Sequence, residues 1–234
     1  MLITFEGIEC CGKGEQIRRL TKYFEEKGIP YFVNQEPGGR AHGLISRMRL
    51  KNPTLVAQAL NEAFKHLPKD YPQIPLIDGK IEPALPEQEI LDFVHSRVGN
   101  TILGIVPALK EGKLIISDRH LHSTKAYQGY GKYHGDKKIL DLIDTLHELM
   151  IFPHAQIDKT FFIDITYEEQ ERRRALIEGR DPNDAFETQK KEFYERVING
   201  YRTMAQEDSR IVRIDGMKSP DEVFSDIVKE IEKI

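Results

Sequence analysis

Gly7-Ile8-Glu9-Cys10-Cys11-Gly12-Lys13-Gly14 carries the spacing GxxxxGK between an apolar run, Leu2–Glu6, and a helix-patterned stretch. Glycines at both ends let backbone N–H groups converge on an anion, the lysine neutralises it, and the helix N-terminus adds partial positive charge. The chemistry is phosphate binding, with Lys13 as the charge-stabilising group. Where a Ser or Thr hydroxyl usually follows the lysine and reaches Mg2+, this chain has Gly14 and then Glu15. A carboxylate beside a phosphate costs ~1 kcal/mol in water-like surroundings and more where solvent is excluded. Glu15 is therefore expected to face solvent or to help hold a metal. Cys10 stands in a loop with demanding backbone geometry. The only two cysteines are adjacent, which suits neither a disulfide framework nor a zinc site, so they are expected to fill space.

Three other groupings could do chemistry. Asp118-Arg119 closes the buried run Lys113–Ser117, and ligands of open α/β sheets bind beyond the carboxyl ends of strands. A structural ion pair is the plainer alternative. Phe93 and Arg97 lie four apart on one helix face, which suits a stacking aromatic beside a cation, though Phe93 alone could be core. Arg172, Arg173 and Arg174 form a basic run that could meet a phosphate or simply be solvated. His120-Leu121-His122 offers two metal ligands without a third nearby, so a metal is not expected there.

The elements that must position these residues alternate between strand and helix patterns. Strands are expected at Leu2–Glu6, Pro30–Val33, Lys113–Ser117, Thr160–Ile165 and Ile211–Ile214. Helices are expected from Gly12 to about Lys27, at Leu44–Leu50, Glu87–Lys110, Ser123–Tyr130, Asp136–Met150, Glu168–Ile177 and Phe186–Ala205. Capping boxes stand at Thr166/Glu169 and Ser219/Glu222. The pattern predicts βαβ units, hence a mostly parallel five-stranded sheet with helices on both faces. Residues 51–86 differ, with half of the twelve prolines and apolar residues at helical spacing from Leu55 to Leu67. They read as an amphipathic helix with one buried face and a Pro-rich extended loop, serving as a surface insertion, lid or interface.

Composition bounds the rest. A 39% hydrophobic content in recurring runs excludes a disordered chain. With 34 Lys and Arg against 38 Asp and Glu, the net charge of −4 gives no reason to expect a nucleic-acid partner. No apolar stretch approaches the ~20 residues that span a bilayer, so no membrane association is expected. The N-terminus has no secretory pattern, which makes the cytoplasm the expected compartment.

The ordered segments together resemble the thymidylate kinase family of P-loop nucleoside monophosphate kinases. They are Leu2–Glu9 with Gly12-Lys13 and Gln16; Gln35-Glu36-Pro37-Gly38-Gly39; Ser117-Asp118-Arg119-His120 with Ser123–Gly129; and Phe193–Tyr201. The resemblance implies a three-layer P-loop NTPase-like α/β fold, one kinase domain over residues 1–234, a short lid at 177–187 and a homodimer. It implies transfer of the ATP γ-phosphate to dTMP, giving dTDP and ADP, with Mg2+. The donor site would comprise Gly7, Ile8, Glu9, Cys10, Cys11, Gly12, Lys13 and Gly14, with Arg180 from the lid. Lys13, Asp118 and Arg119 would be catalytic, with Asp118 toward the metal. The acceptor site would comprise Glu9, Glu36, Pro37, Arg47, Phe93, Arg97, Arg119, Thr124 and Gln128. Alternatives are a kinase for another monophosphate, its specificity altered by the insertion, or a nucleotide-binding protein with a degenerate donor site. The departures behind the second are Cys10, Gly14, Glu15, Ala185 for the usual lid arginine and, outside the donor side, Gln35.

Overall fold

The structure, a computed structural model, describes residues 1–39, 41–64, 85–177 and 189–233. Strand β1 (Leu2–Glu6) is buried at every residue, because it runs through the middle of a sheet covered on both faces. β2 (Tyr31–Gln35), β3 (Leu114–Asp118), β4 (Lys159–Asp164) and β5 (Ile211–Asp215) complete the sheet in the order β2-β3-β1-β4-β5. Every pairing is parallel, with Phe5 opposite both Asp118 and Phe161. The expected fold class is thus observed, and β2 begins one residue later and ends two later than the sequence suggests.

Helix α1 (Lys13–Lys27) turns Ile17, Leu20 and Phe24 inward and stops at Gly28, whose φ of 67° is the left-handed conformation that ends helices. α2 (Ala41–Lys51) extends the expected helix at both ends. α3 (Pro53–Phe64) confirms a helix in the insertion but not its buried face: Ala57 is buried, while Leu55 and Leu60 are exposed. The Pro-rich remainder, 65–84, lies outside the described residues.

The long helix after it has three parts: α4 (Pro86–Asn100), a π-helical segment (Thr101–Ile105) and α5 (Val106–Lys110). α6 (Leu121–Thr124) runs into a second π-helical segment, Lys125–Lys132, and α7 (Lys137–Met150) follows. α8 (Tyr167–Arg174) is capped by Thr166, but Glu169 bonds arginines and so completes only half of the expected box. α9 (Lys191–Glu207) starts later than expected; residues 186–188 of that expectation, like the lid from 178 onward, lie outside the described residues. α10 (Pro220–Ile231) opens on the full Ser219/Glu222 capping box.

Two buried clusters hold the layers together. One joins Ile3, Phe5 and Phe161 to α1, α9 and α10; the other joins Leu2 and Ile115 to Ile90, Ile105 and Ile143. Each such side chain contributes about 1.5–3 kcal/mol when fully removed from water. Among the described residues no helix is long and apolar enough to cross a membrane.

Candidate active site

β1 delivers the chain into the phosphate loop, and the loop's backbone explains its glycines. Gly7 has φ 136°, and a Cβ there would stand 2.6 Å from the Ile163 carbonyl oxygen. Cys10 takes a left-handed φ of 59° without glycine's freedom, a local strain of order 1 kcal/mol. Lys13 is buried, and its Nζ donates to the carbonyls of Gly7 at 3.0 Å and Ile8 at 3.1 Å. The ammonium thus sits under the loop, already desolvated and aimed at its centre. Cys11 is buried and Cys10 half-buried, both as free thiols.

The loop separates two clefts. Glu9 lines the first, whereas Cys10, Cys11 and Gly12 line the second. Arg119 sits at the seam: it donates to the Gly7 carbonyl at 3.1 Å, Glu9 Oε1 at 2.9 Å and Ser123 Oγ at 2.9 Å, with its guanidinium 5.1 Å from the Tyr127 ring centre. Burial pushes the Glu9 carboxyl upward, but the Arg119 and Lys13 charges and the Tyr127 hydroxyl outweigh it and hold Glu9 below the usual carboxylate value.

The first cleft brings together Glu9, Glu36, Pro37, Phe93, Arg97, Arg119, Thr124 and Gln128 from five separate parts of the chain. Phe93 is half-buried on its wall. Arg97, 1% exposed, donates from Nε to Glu36 at 2.6 Å, and from its terminal nitrogens to Thr124 Oγ1, the His120 carbonyl and His147 Nε2. These bonds, two of them to Thr124, engage its guanidinium with protein partners. Burial pushes the Glu36 carboxyl up to about 7, against the pull of Arg97. Gln128 donates from Nε2 to Glu89 at 3.1 Å.

Arg47 is not on this wall. It is half-buried against Gly38, and Leu50 and Lys51, farther along α2, line the cleft instead. Sequence reasoning also missed Ser123 and Tyr127 on the wall and Glu6 behind it, buried and accepting from Ser123, Tyr201 and the His120 N–H. The four-residue spacing of Ser123 and Tyr127, which sets them on one helical face, is the available signal for the first two. Burial holds His120 and His122 well below the usual histidine range, His122 at about 3, and no group of three ligating residues occurs among the described residues.

The second cleft is lined by the loop, Glu15, Glu169, Arg172, Arg173 and the turn Gly216–Pro220. Glu15 is partly exposed at the rim, where Arg18 and Arg19 bond its carboxylate at 2.5–3.0 Å and hold it below its usual value. Of the arginine run, Arg172 bonds Glu169 and Arg174 bonds Glu171, while Arg173 reaches the Cys11 carbonyl at 3.2 Å and the Gly216 carbonyl at 2.7 Å. Arg173 is therefore the member of the run that meets the phosphate loop. Arg180 lies outside the described residues. Gly14 is exposed and has open space where a side chain would stand.

Comparison with known proteins agrees with this geometry. Residues 75–227 match the family model described as thymidylate kinase. The thymidylate kinase of Fervidobacterium nodosum is 33% identical over 98% of this chain and 97% of its own. That of Carboxydothermus hydrogenoformans is 33% identical over 96% and 93%. The crystal structure of thymidylate kinase from Ehrlichia chaffeensis superposes with a TM-score of 0.63 at 26% identity, covering 99% of this chain and 98% of that one. An all-parallel sheet, a phosphate loop between two clefts and full-length similarity lead to one assignment: the chain belongs to the thymidylate kinase family.

Proposed function

We propose that this chain transfers the γ-phosphate of ATP to dTMP, giving dTDP and ADP, with the first cleft as acceptor site and the second as donor site. The observation that carries the reading is Arg119, which bonds the phosphate loop through Gly7 and the first cleft through Glu9 and Ser123. Phosphoryl transfer asks for positioning and charge stabilisation rather than a protein nucleophile. Lys13 neutralises the donor phosphates, Arg119 bridges donor and acceptor, and Phe93 stacks on the base while Gln128 meets its edge. Glu36, Pro37, Thr124 and Arg97 shape the acceptor wall, and Glu9 faces the sugar. Ile8, Cys10, Cys11, Gly12 and Gly14 give the donor loop its backbone, and Arg180 adds lid charge.

Asp118 ends β3, and its Oδ1 is buried without a hydrogen-bond partner among the described residues. Mg2+ takes one or two carboxylates, phosphate oxygens and several waters, so a lone unsatisfied acid fits it, and Asp118 would hold it. When bound there, the ion would supply charge neutralisation for the donor phosphates. The chain acts as one domain in the cytoplasm and pairs with a second copy of itself, which would cover exposed apolar residues such as Leu44, Ile45 and Met48 of α2 and Leu91 of α4.

The test is a product assay with ATP, Mg2+ and dTMP, separating nucleotides by chromatography. ADP and dTDP should appear in equal amounts. ADP without dTDP, or faster conversion of another monophosphate, would contradict the assignment of substrate.

A further inference from the structure

Gln128 raises a question that its position alone does not answer. A glutamine amide has a donor end and an acceptor end, and whichever faces the ligand decides which base edge is accepted. Here the other end is fixed. Glu89, buried on α4, accepts from Gln128 Nε2 at 3.1 Å and from Lys132 Nζ at 2.5 Å. A carboxylate paired with an ammonium can only accept, so the amide must turn its NH2 toward Glu89. That leaves Gln128 Oε1 as the free end, buried and without a hydrogen-bond partner among the described residues. Gln128 and Phe93 line the same cleft.

We propose that Glu89, anchored by Lys132, sets the polarity of the Gln128 amide and so makes the cleft select a pyrimidine whose ring nitrogen carries hydrogen, thymine or uracil, over cytosine. The inference rests on reading this cleft as the acceptor site. An imide N–H donates to Oε1 and satisfies it. The bare N3 of cytosine sets one lone pair against another and leaves a buried acceptor unmatched, which is the costly outcome. Glu89 need touch no ligand; it is a positioning residue. Neither it nor Lys132 is marked by a motif, because the arrangement requires α4 and the second π-helical segment to be packed together.

The test measures kcat/KM for dTMP and dCMP in the wild type, Glu89→Gln, Glu89→Asp and Gln128→Leu, with a melting curve for each. Glu89→Gln lets the amide at 128 face either way, so the dTMP-to-dCMP preference should fall about tenfold, chiefly through a higher KM for dTMP with kcat little changed. Glu89→Asp keeps an acceptor-only group and should retain most of the preference, which a purely structural role would not predict. An unchanged preference in a folded Glu89→Gln protein overturns the proposal while leaving the acceptor site intact. Should that variant not fold, Lys132→Met must produce the same loss of preference to a smaller degree, and an unchanged ratio there overturns the proposal equally. If Gln128→Leu leaves dTMP affinity unaltered, the acceptor-site reading itself fails, and this inference with it.

Discussion

On the acceptor side, Arg97, Glu36, Thr124 and Gln128 are each at most 5% exposed and bonded to protein groups. On the donor side, the charged side chains of Glu15, Arg172 and Lys218 are 36% or more exposed, and their ion pairs are local or at the rim. The contrast follows from what each side must recognise. A triphosphate can be held by backbone N–H groups and one lysine, which any helix-opening loop of this shape provides. A base edge must be read by side chains already fixed in place, because an unpaired buried polar group is costly and so rejects the wrong partner. Departures in the phosphate loop are therefore tolerable where departures in the acceptor wall would not be.

Arg119 belongs to both regions, and changing it should have the largest effect. Arg119→Lys removes the fork that reaches Gly7, Glu9 and Ser123 together, and kcat should drop by about 10³-fold, with a higher KM for dTMP as well. A change confined to ATP affinity would place Arg119 on one side only. Lys13→Ala removes a single charge-stabilising donor and should lower kcat about 10²–10³-fold in steady-state assays.

The next effect concerns only the acceptor side and depends on pH. The Glu36 carboxyl is raised from 4.5 in the unfolded chain to about 7 in the fold, first by burial. Between those values the folded protein holds the extra proton, so this group makes stability fall as pH rises through the window and level off above it. Compared with Glu36→Gln, the wild type should lose ground by of order 3 kcal/mol from pH 4.5 to 7, read from denaturant titrations. A pH-independent difference would mean that Arg97 keeps Glu36 ionised throughout.

The smallest effect belongs to the donor rim. Glu15→Thr introduces a hydroxyl beside the loop and removes only exposed, solvent-screened pairs with Arg18 and Arg19, so kcat should change by about threefold or less. A tenfold rise would show that Glu15 slows transfer and that the donor loop is impaired.

Much of this molecule is legible along the chain, and the limits are physical. The phosphate loop, the buried strand before Asp118 and the Ser219 capping box are local patterns, readable because their spacing is set by the backbone itself. The π-helical segment over Lys125–Lys132 is not, although it carries Tyr127 and Gln128, since a one-residue insertion in a helical turn leaves the periodicity nearly intact. Glu169 looked like half of a capping box; arginines three and four residues on claimed its carboxylate. Arg97 was legible as a cation beside an aromatic, but its partners His147 and Glu36 lie 50 and 61 residues away. Leu55 and Leu60 have the spacing of a buried face and are exposed, because spacing records amphipathicity without saying what covers it.

The division between the two clefts is tested most directly by titrating dTMP calorimetrically into the wild type, Lys13→Ala and Phe93→Ala. The account predicts nearly equal dTMP affinity in the wild type and Lys13→Ala, and a loss of ~1–3 kcal/mol in Phe93→Ala, the range for stacking a base on an aromatic ring. Loss of dTMP binding in Lys13→Ala, or full affinity in Phe93→Ala, would contradict it.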